Sequence, residues 1–193
     1  MHAPTRSLHT AGFVTIRCME YAAFLLGINV GRRIVKMSDL KTVVEKAGYT
    51  NVHTVLASGN VRFEAGRASP AAIVKKLEPL LEQSFGFKIE LIVRSIPELQ
   101  NMIAAHPFKR IPVTKNTRRY VTFLAAPPAK PEKARTVSEQ FKILKVTKGE
   151  VYSNLEISDR FKTPDIMKAL GTSYGKKITT RNWNTIQKIC SLA

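Results

Sequence analysis

Three segments of this chain combine glycines, amides, hydroxyls and cations at spacings that suit the binding of an anion. The first is Gly27-Ile28-Asn29-Val30-Gly31-Arg32-Arg33, followed by Lys36. Glycines let a backbone turn with its N–H groups converging, and three cations beside a helix start complement a phosphate or carboxylate. The same residues also suit a plain strand-to-helix turn that needs positive φ. The segment is not a P-loop, because Gly-x-x-x-x-Gly-Lys-Ser/Thr is absent. The second segment, Thr179-Thr180-Arg181-Asn182-Trp183-Asn184-Thr185, reads as the start of the last helix. A threonine cap there would leave Arg181, Asn182 and Asn184 as outward donors, with Trp183, Ile186, Ile189 and Cys190 on the apolar face. The third, Ser58-Gly59-Asn60, reads as a tight hairpin turn or a ligand-contacting tip.

Residues able to do covalent or acid–base chemistry are sparse. The aspartates are Asp39, Asp159 and Asp165, two of them at plausible helix starts, while His53 and His106 have no neighbouring motif that marks a metal site or triad. Cys190 falls on an apolar helix face and reads as a core thiol. No catalytic residue, metal site or cofactor is assigned, and an enzyme is neither supported nor excluded.

Charge points the same way as the glycine turn, toward an anion. The 193 residues carry 31 Lys and Arg against 14 Asp and Glu, a net charge of +17. Up to Phe108 the balance is 13 basic to 8 acidic; beyond it, 18 to 6. The stretch from Lys109 to Lys148 is densest, and Lys109, Arg110, Lys115, Arg118 and Arg119 are its candidate polyanion surface. A solvated, self-repelling surface is the plainer reading of the same charges. A 44% hydrophobic content excludes a disordered tail, and no apolar run is long enough for a membrane helix. Two distant cysteines read as reduced thiols of a cytoplasmic protein.

The elements that must hold these segments follow from periodicity. Residues 1–18 contain no acid, and regular patterning begins at Glu20, so Met19 reads as the start and the leader as an upstream extension. Tyr21 to Ile28 reads as a buried strand, then a helix capped by Ser38 and stopped by Gly48, then strands Val52–Ala57 and Val61–Glu64. A helix opened by Ser69-Pro70 continues across Pro79 to Gly86, and Phe87 to Arg94 alternates as a strand. This β-α-β-β-α-β order is that of a ferredoxin-like subdomain over 19–94, with two helices on one face of an antiparallel sheet. A helix with a Ser95/Glu98 capping box and a basic linker occupy 95–118. The second α+β subdomain, 119–193, reads as strand Arg119–Ala125, helix Pro131–Gln140, hairpin Phe141–Val146 with Val151–Leu155, and a helix capped by Thr163 that turns Ile166, Met167 and Leu170 inward and ends at Gly171. A C-terminal helix follows. Gly149-Glu150-Val151 echoes Gly59-Asn60-Val61, so the halves read as related, the second without its final strand.

The segments taken together, Leu26-Gly27-Ile28-Asn29-Val30-Gly31, Val35-Lys36-Met37, Ser58-Gly59-Asn60-Val61 before Phe63, and Thr179 to Thr185, resemble the bacterial family of domain of unknown function 1697. The resemblance runs from about Glu20 to the C-terminus. It implies a cytoplasmic α+β protein of two subdomains and brings no activity, cofactor or catalytic residue. Leu26 stands where the family has arginine, Arg32 stands where it has a second glycine, and Ser158 to Lys162 replaces a Gly-x-Ser-Lys-Leu-like segment.

The leading expectation is a non-enzymatic module that binds nucleic acid through its phosphate backbone. The alternative is an enzyme or sensor that holds a phosphorylated or carboxylated metabolite between the subdomains; an acidic protein partner is a third. A ferredoxin-like order also invites comparison with RNA-recognition motifs, with Tyr21, Phe24 and Phe63 on strands, but their signature is absent.

Overall fold

The structure, a computed structural model, describes residues 18–129, 133–158 and 163–192, with the side chains of 163–168 outside that description. Most of the leader therefore lies outside the described residues. The first half is β1 (Glu20–Leu25), α1 (Met37–Lys46), β2 (Thr50–Thr54), β3 (Asn60–Glu64), α2 (Pro70–Phe85) and β4 (Leu91–Ser95), followed by α3 (Ile96–Ala104). The second is β5 (Thr117–Leu124), β6 (Arg135–Thr136), β7 (Phe141–Val146), β8 (Glu150–Glu156), α4 (Thr163–Tyr174) and β9 (Ile178–Asn182), followed by α5 (Trp183–Cys190). The sheets run β2-β3-β1-β4 and β6-β7-β8-β5-β9. Every strand pair is antiparallel, as an α+β fold with interleaved hairpins requires.

The continuous apolar run of β1 has a simple cause: both of its faces are buried. Tyr21, Ala23 and Leu25 face α1 and α2, where Leu40, Val44, Ile73, Leu77 and Leu81 complete one core. Ala22 and Phe24 point the other way, into a core shared with the second sheet, α3 and α5. There Phe24 stacks on Phe123 at 4.4 Å, and Trp183 meets Phe108 edge-on at 5.0 Å. The far face of the second sheet, with Tyr120, Phe141 and Leu155, is covered by Leu170 of α4. The helices on one face of the first sheet are as expected; its other face is packed against a second sheet.

Local signals set several boundaries. Ser69 accepts from Ala72 N with Pro70 behind it, Gly86 closes α2 in the left-handed region, and the Ser95/Glu98 capping box starts α3. Other boundaries differ from expectation. The α1 N-cap is Lys36 without a side-chain bond, and Ser38 sits inside the first turn with its hydroxyl on Asp39. The hairpin after β2 turns through Leu56–Gly59, so it is wider than a two-residue turn. β4 begins only at Leu91, although Leu26 N still donates to Glu90 O one position further along the same register. Among the described residues of Pro131–Gln140 there is no helix; Arg135 and Thr136 form the edge strand β6, in keeping with the nearby prolines and β-branched residues. Gly171 does not end α4, which runs to Tyr174 before Gly175 at φ 84°. The expected Thr163 cap and the inward Ile166 and Met167 lie outside the described side chains. Finally, the second half does have its last strand: Thr179 to Arg181 belong to β9, and Asn182 caps α5.

With β9 in place four strands of each half follow the same order and register. Phe24 pairs with Asn60 and Phe123 with Glu150; Ala22 pairs with Arg94 and Val121 with Arg181. Each half ends in the same way, with an arginine, a capping residue and a helix.

Candidate functional site

The Gly27 turn is held open by alternating left-handed residues, Gly27 at φ 58°, Asn29 at 55° and Gly31 at 59°. A non-glycine residue persists there because its own side chain fixes it: Asn29 Oδ1 accepts from Val35 N at 2.9 Å while its amide nitrogen donates to Ala57 O. Asn29 thus ties the turn to the Ser58-Gly59-Asn60 hairpin. Arg33 donates to Lys88 O and lies 4.9 Å from the Phe87 ring. Arg32 and Lys36 are exposed, as are the apolar Val30 and Ile34.

Arg181, expected as an outward donor at a helix start, is instead a buried strand residue. Its guanidinium donates to Leu25 O at 2.8 Å, Gly59 O at 3.5 Å, Thr179 Oγ1 at 2.6 Å and Thr180 O at 2.9 Å, and its Nε donates to Asn60 Oδ1. All five N–H groups are engaged by neutral acceptors, so Arg181 clasps the first half and offers nothing to solvent. Burial pulls its pKa down to about 10. Asn182 accepts from Asn184 N as the α5 cap, and Asn184 is exposed.

Arg94 returns the clasp in the opposite direction. It donates to Leu124 O and Gly149 O, both at 3.2 Å, and to Glu150 Oε1 at 3.1 Å. Each arginine lies near the phenylalanine of the other half, Arg94 by Phe123 at 5.5 Å and Arg181 by Phe24 at 5.7 Å. Arg94, Glu150, Glu90 and Lys177 were all missed in the sequence. The available signal was the arginine that precedes a Ser or Asn cap at the end of both halves. Arg62 was missed as well: it donates to Glu20 and to the carbonyls of Ile189 and Leu192, closing the C-terminus of α5.

Where the halves meet beside the Gly27 turn there is a cavity of about 420 Å³, lined by Gly27, Arg33 and Lys88 on one side and Gly175, Lys176 and Ile178 on the other. Glu90 also lines it and accepts from Lys177 at 2.9 Å. That bond, helped by the charges of Lys177, Lys88 and Arg33, holds the Glu90 carboxyl below its ordinary pKa against the opposing effect of burial. Of the three segments singled out in the sequence only the Gly27 turn lines this cavity; the Ser58-Gly59-Asn60 hairpin and Arg181 meet that turn behind it, through the bonds of Asn29 to Ala57 O and of Arg181 to Leu25 O and Asn60 Oδ1.

The candidate polyanion residues lie elsewhere, at one end of the second sheet. Phe108 pins the 106–116 loop against Tyr152 and Trp183, with Arg119 5.9 Å from its ring. Lys109, Arg110 and Lys115 are exposed, and Arg118 braces the loop by donating to Lys115 O at 2.7 Å. By register, Arg119, Asn154 and Lys142 lie side by side across three strands. Among the described residues none of Lys109, Arg110, Lys115, Arg118, Arg119 or Lys142 forms an ion pair.

The strand aromatics are not a base-stacking platform: Tyr21, Phe24 and Phe63 are all core residues. Cys190 is half-buried with its thiol pKa raised by burial, the opposite of an activated nucleophile. Among the described residues there is no metal-competent group of His, Cys, Asp or Glu, and no helix long and apolar enough to cross a membrane.

Similarity to known proteins agrees with this architecture. Among curated proteins nothing matches the chain. A solved structure of the conserved bacterial protein SP0830 from Streptococcus pneumoniae is similar over 90% of this chain and 97% of its own, with a TM-score of 0.66 at 22% identity, which establishes a shared fold. Residues 19–152 match the family described as Protein of unknown function (DUF1697). With the Gly27 turn, the Ser58-Gly59-Asn60 hairpin and the β1 to β7 framework all inside that match, the chain belongs to the DUF1697 family.

Proposed function

We propose that the protein is a cytoplasmic nucleic-acid-binding module that grips the phosphate backbone with the basic end of its second sheet. The observation that carries this reading is the grouping of Lys109, Arg110, Lys115, Arg118 and Arg119 around the Phe108-anchored loop with no acidic partner among the described residues. Five cations gathered at one end of the sheet, with Arg118 and Arg119 on opposite faces of β5, act through counterion release, which is independent of sequence. The first half then serves as the rigid scaffold on which that end is held.

Binding of mixed-sequence duplex and single-stranded probes tests the reading. With about five phosphates neutralised, affinity for duplex falls roughly 10²- to 10³-fold between about 50 and 200 mM salt. Replacing Lys109, Arg110 and Lys115 by glutamate, all at exposed positions, abolishes binding across sequences while the thermal midpoint stays unchanged. Absence of binding at low salt, or binding unaffected by the triple variant, overturns it.

A further inference from the structure

The two halves repeat the same clasp with one difference that matters electrostatically. Arg94 meets the Glu150 carboxylate, and the cavity of about 320 Å³ beside it is lined by a second carboxylate, that of Glu98. Arg181 occupies the equivalent place in the other direction, yet the residue facing it is Asn60, a neutral amide. A cation 8% exposed and matched only by neutral dipoles is costly, and such a charge raises the affinity of its surroundings for an anion.

The surroundings on the Arg181 side are built for one. Arg181 donates to Leu25 O, and the next two residues, Leu26 and Gly27, line the seam cavity; its own strand supplies Ile178 to the opposite wall. Arg33, Lys88 and Lys176 line the same cavity, and Glu90, its one acidic lining residue among the described residues, pairs with Lys177 at 2.9 Å and with Lys88 at 3.8 Å. The backbone N–H groups of Gly27 and Ile28 have no acceptor among the described residues, and they belong to a run of alternating left-handed residues, the backbone form that gathers N–H groups around an anion. A volume of about 420 Å³ fits a small metabolite and not a nucleic-acid strand.

We propose that the seam cavity is a binding site for a small dianion, a phosphate monoester or a dicarboxylate, held by the Gly27 turn together with Arg33, Lys88 and Lys176. The Arg94 side, with its own carboxylates, takes no such ligand. This site is separate from the basic end of the second sheet, and the two proposals stand or fall independently.

Titration of the full chain with inorganic phosphate and with malonate, followed by backbone amide shifts, tests the site. The expected result is saturable shifts centred on the amides of 27–31 and 175–177, with a Kd of roughly millimolar order. Lys88→Glu with Lys176→Glu, both exposed positions, weakens binding about fivefold or more, whereas Lys109→Glu with Arg110→Glu leaves it unchanged. Asn60→Asp gives Arg181 an internal carboxylate and weakens binding in the same direction. Shifts that are absent, that centre on 109–119, or that survive Lys88→Glu with Lys176→Glu overturn the proposal; since those two side chains lie at the surface, that outcome is readable even if Asn60→Asp fails to fold.

Discussion

Arg181 and Arg94 do the same geometric work with different electrostatics, and truncation separates them. Arg181→Ala leaves Asn60 Oδ1 without a donor in the interior and Leu25 O with only the long bond from Thr179 Oγ1 at 3.4 Å, while Gly59 O keeps Leu25 N, and it costs roughly 2–4 kcal/mol. Arg94 is 17% exposed, and its partner Glu150 keeps a second donor in Thr147 Oγ1 at 2.6 Å, so Arg94→Ala costs only about 1–2 kcal/mol. Urea unfolding of the two variants checks the order; equal costs would show that the neutral partners of Arg181 carry no special burden. In the sequence Arg94 reads as an ordinary strand residue and Arg181 as an outward donor at the start of the last helix. Their role was illegible because the acceptors by which they join the halves, Leu124 O and Gly149 O for Arg94 and Leu25 O and Asn60 Oδ1 for Arg181, lie 30 or more positions away.

At the scale of elements, the hairpin turns show how closely each clasp is packed. Gly59 has φ 69°, and a Cβ there would overlap Ile28 Cδ1 and lie 3.0 Å from Leu25 Cβ. Gly149 lies outside the left-handed region, and a Cβ there meets only side-chain atoms of Arg94, the nearest at 3.0 Å. Gly59→Ala therefore combines backbone strain with overpacking and costs roughly 2–4 kcal/mol, against about 1 kcal/mol or less for Gly149→Ala. Thermal unfolding of the pair measures the difference, and a Gly149→Ala variant as damaged as Gly59→Ala would contradict it. Elements with strong local grammar were legible: the Ser69-Pro70 start and Gly86 stop of α2, the Ser95/Glu98 box of α3, and the β7–β8 hairpin around Lys148-Gly149. β9 was not, because Thr179, Thr180 and Arg181 look like a polar cap until β5 supplies their ladder. The same holds for β6, an edge strand of two residues that exists only by pairing with β7.

Across the whole molecule, the halves are joined by the Phe24–Phe123 stack, the two arginine clasps and the Glu90–Lys177 bond. The last of these makes the joint pH-dependent. Glu90 holds its proton less tightly in the fold than in the unfolded chain, so on acidification the unfolded chain takes up the proton first. The stability it contributes is complete above the ordinary glutamate value of 4.5 and is lost as pH falls from there through the lowered folded value. Glu90→Gln removes this component, so wild type and variant differ at neutral pH and converge in acid when unfolding is followed by Trp183, the single tryptophan, which sits in the shared core. Curves that stay parallel would exclude a role for the bond. By itself the sequence determined what local physics enforces: an α+β chain of two related β-rich halves, the glycine turn with its cations, and a strongly basic second half. Only the tertiary structure decided that Arg181 faces inward, that the seam cavity opens beside the Gly27 turn, and that the densest charges lie elsewhere, because burial and partner choice depend on contacts between residues far apart in the chain.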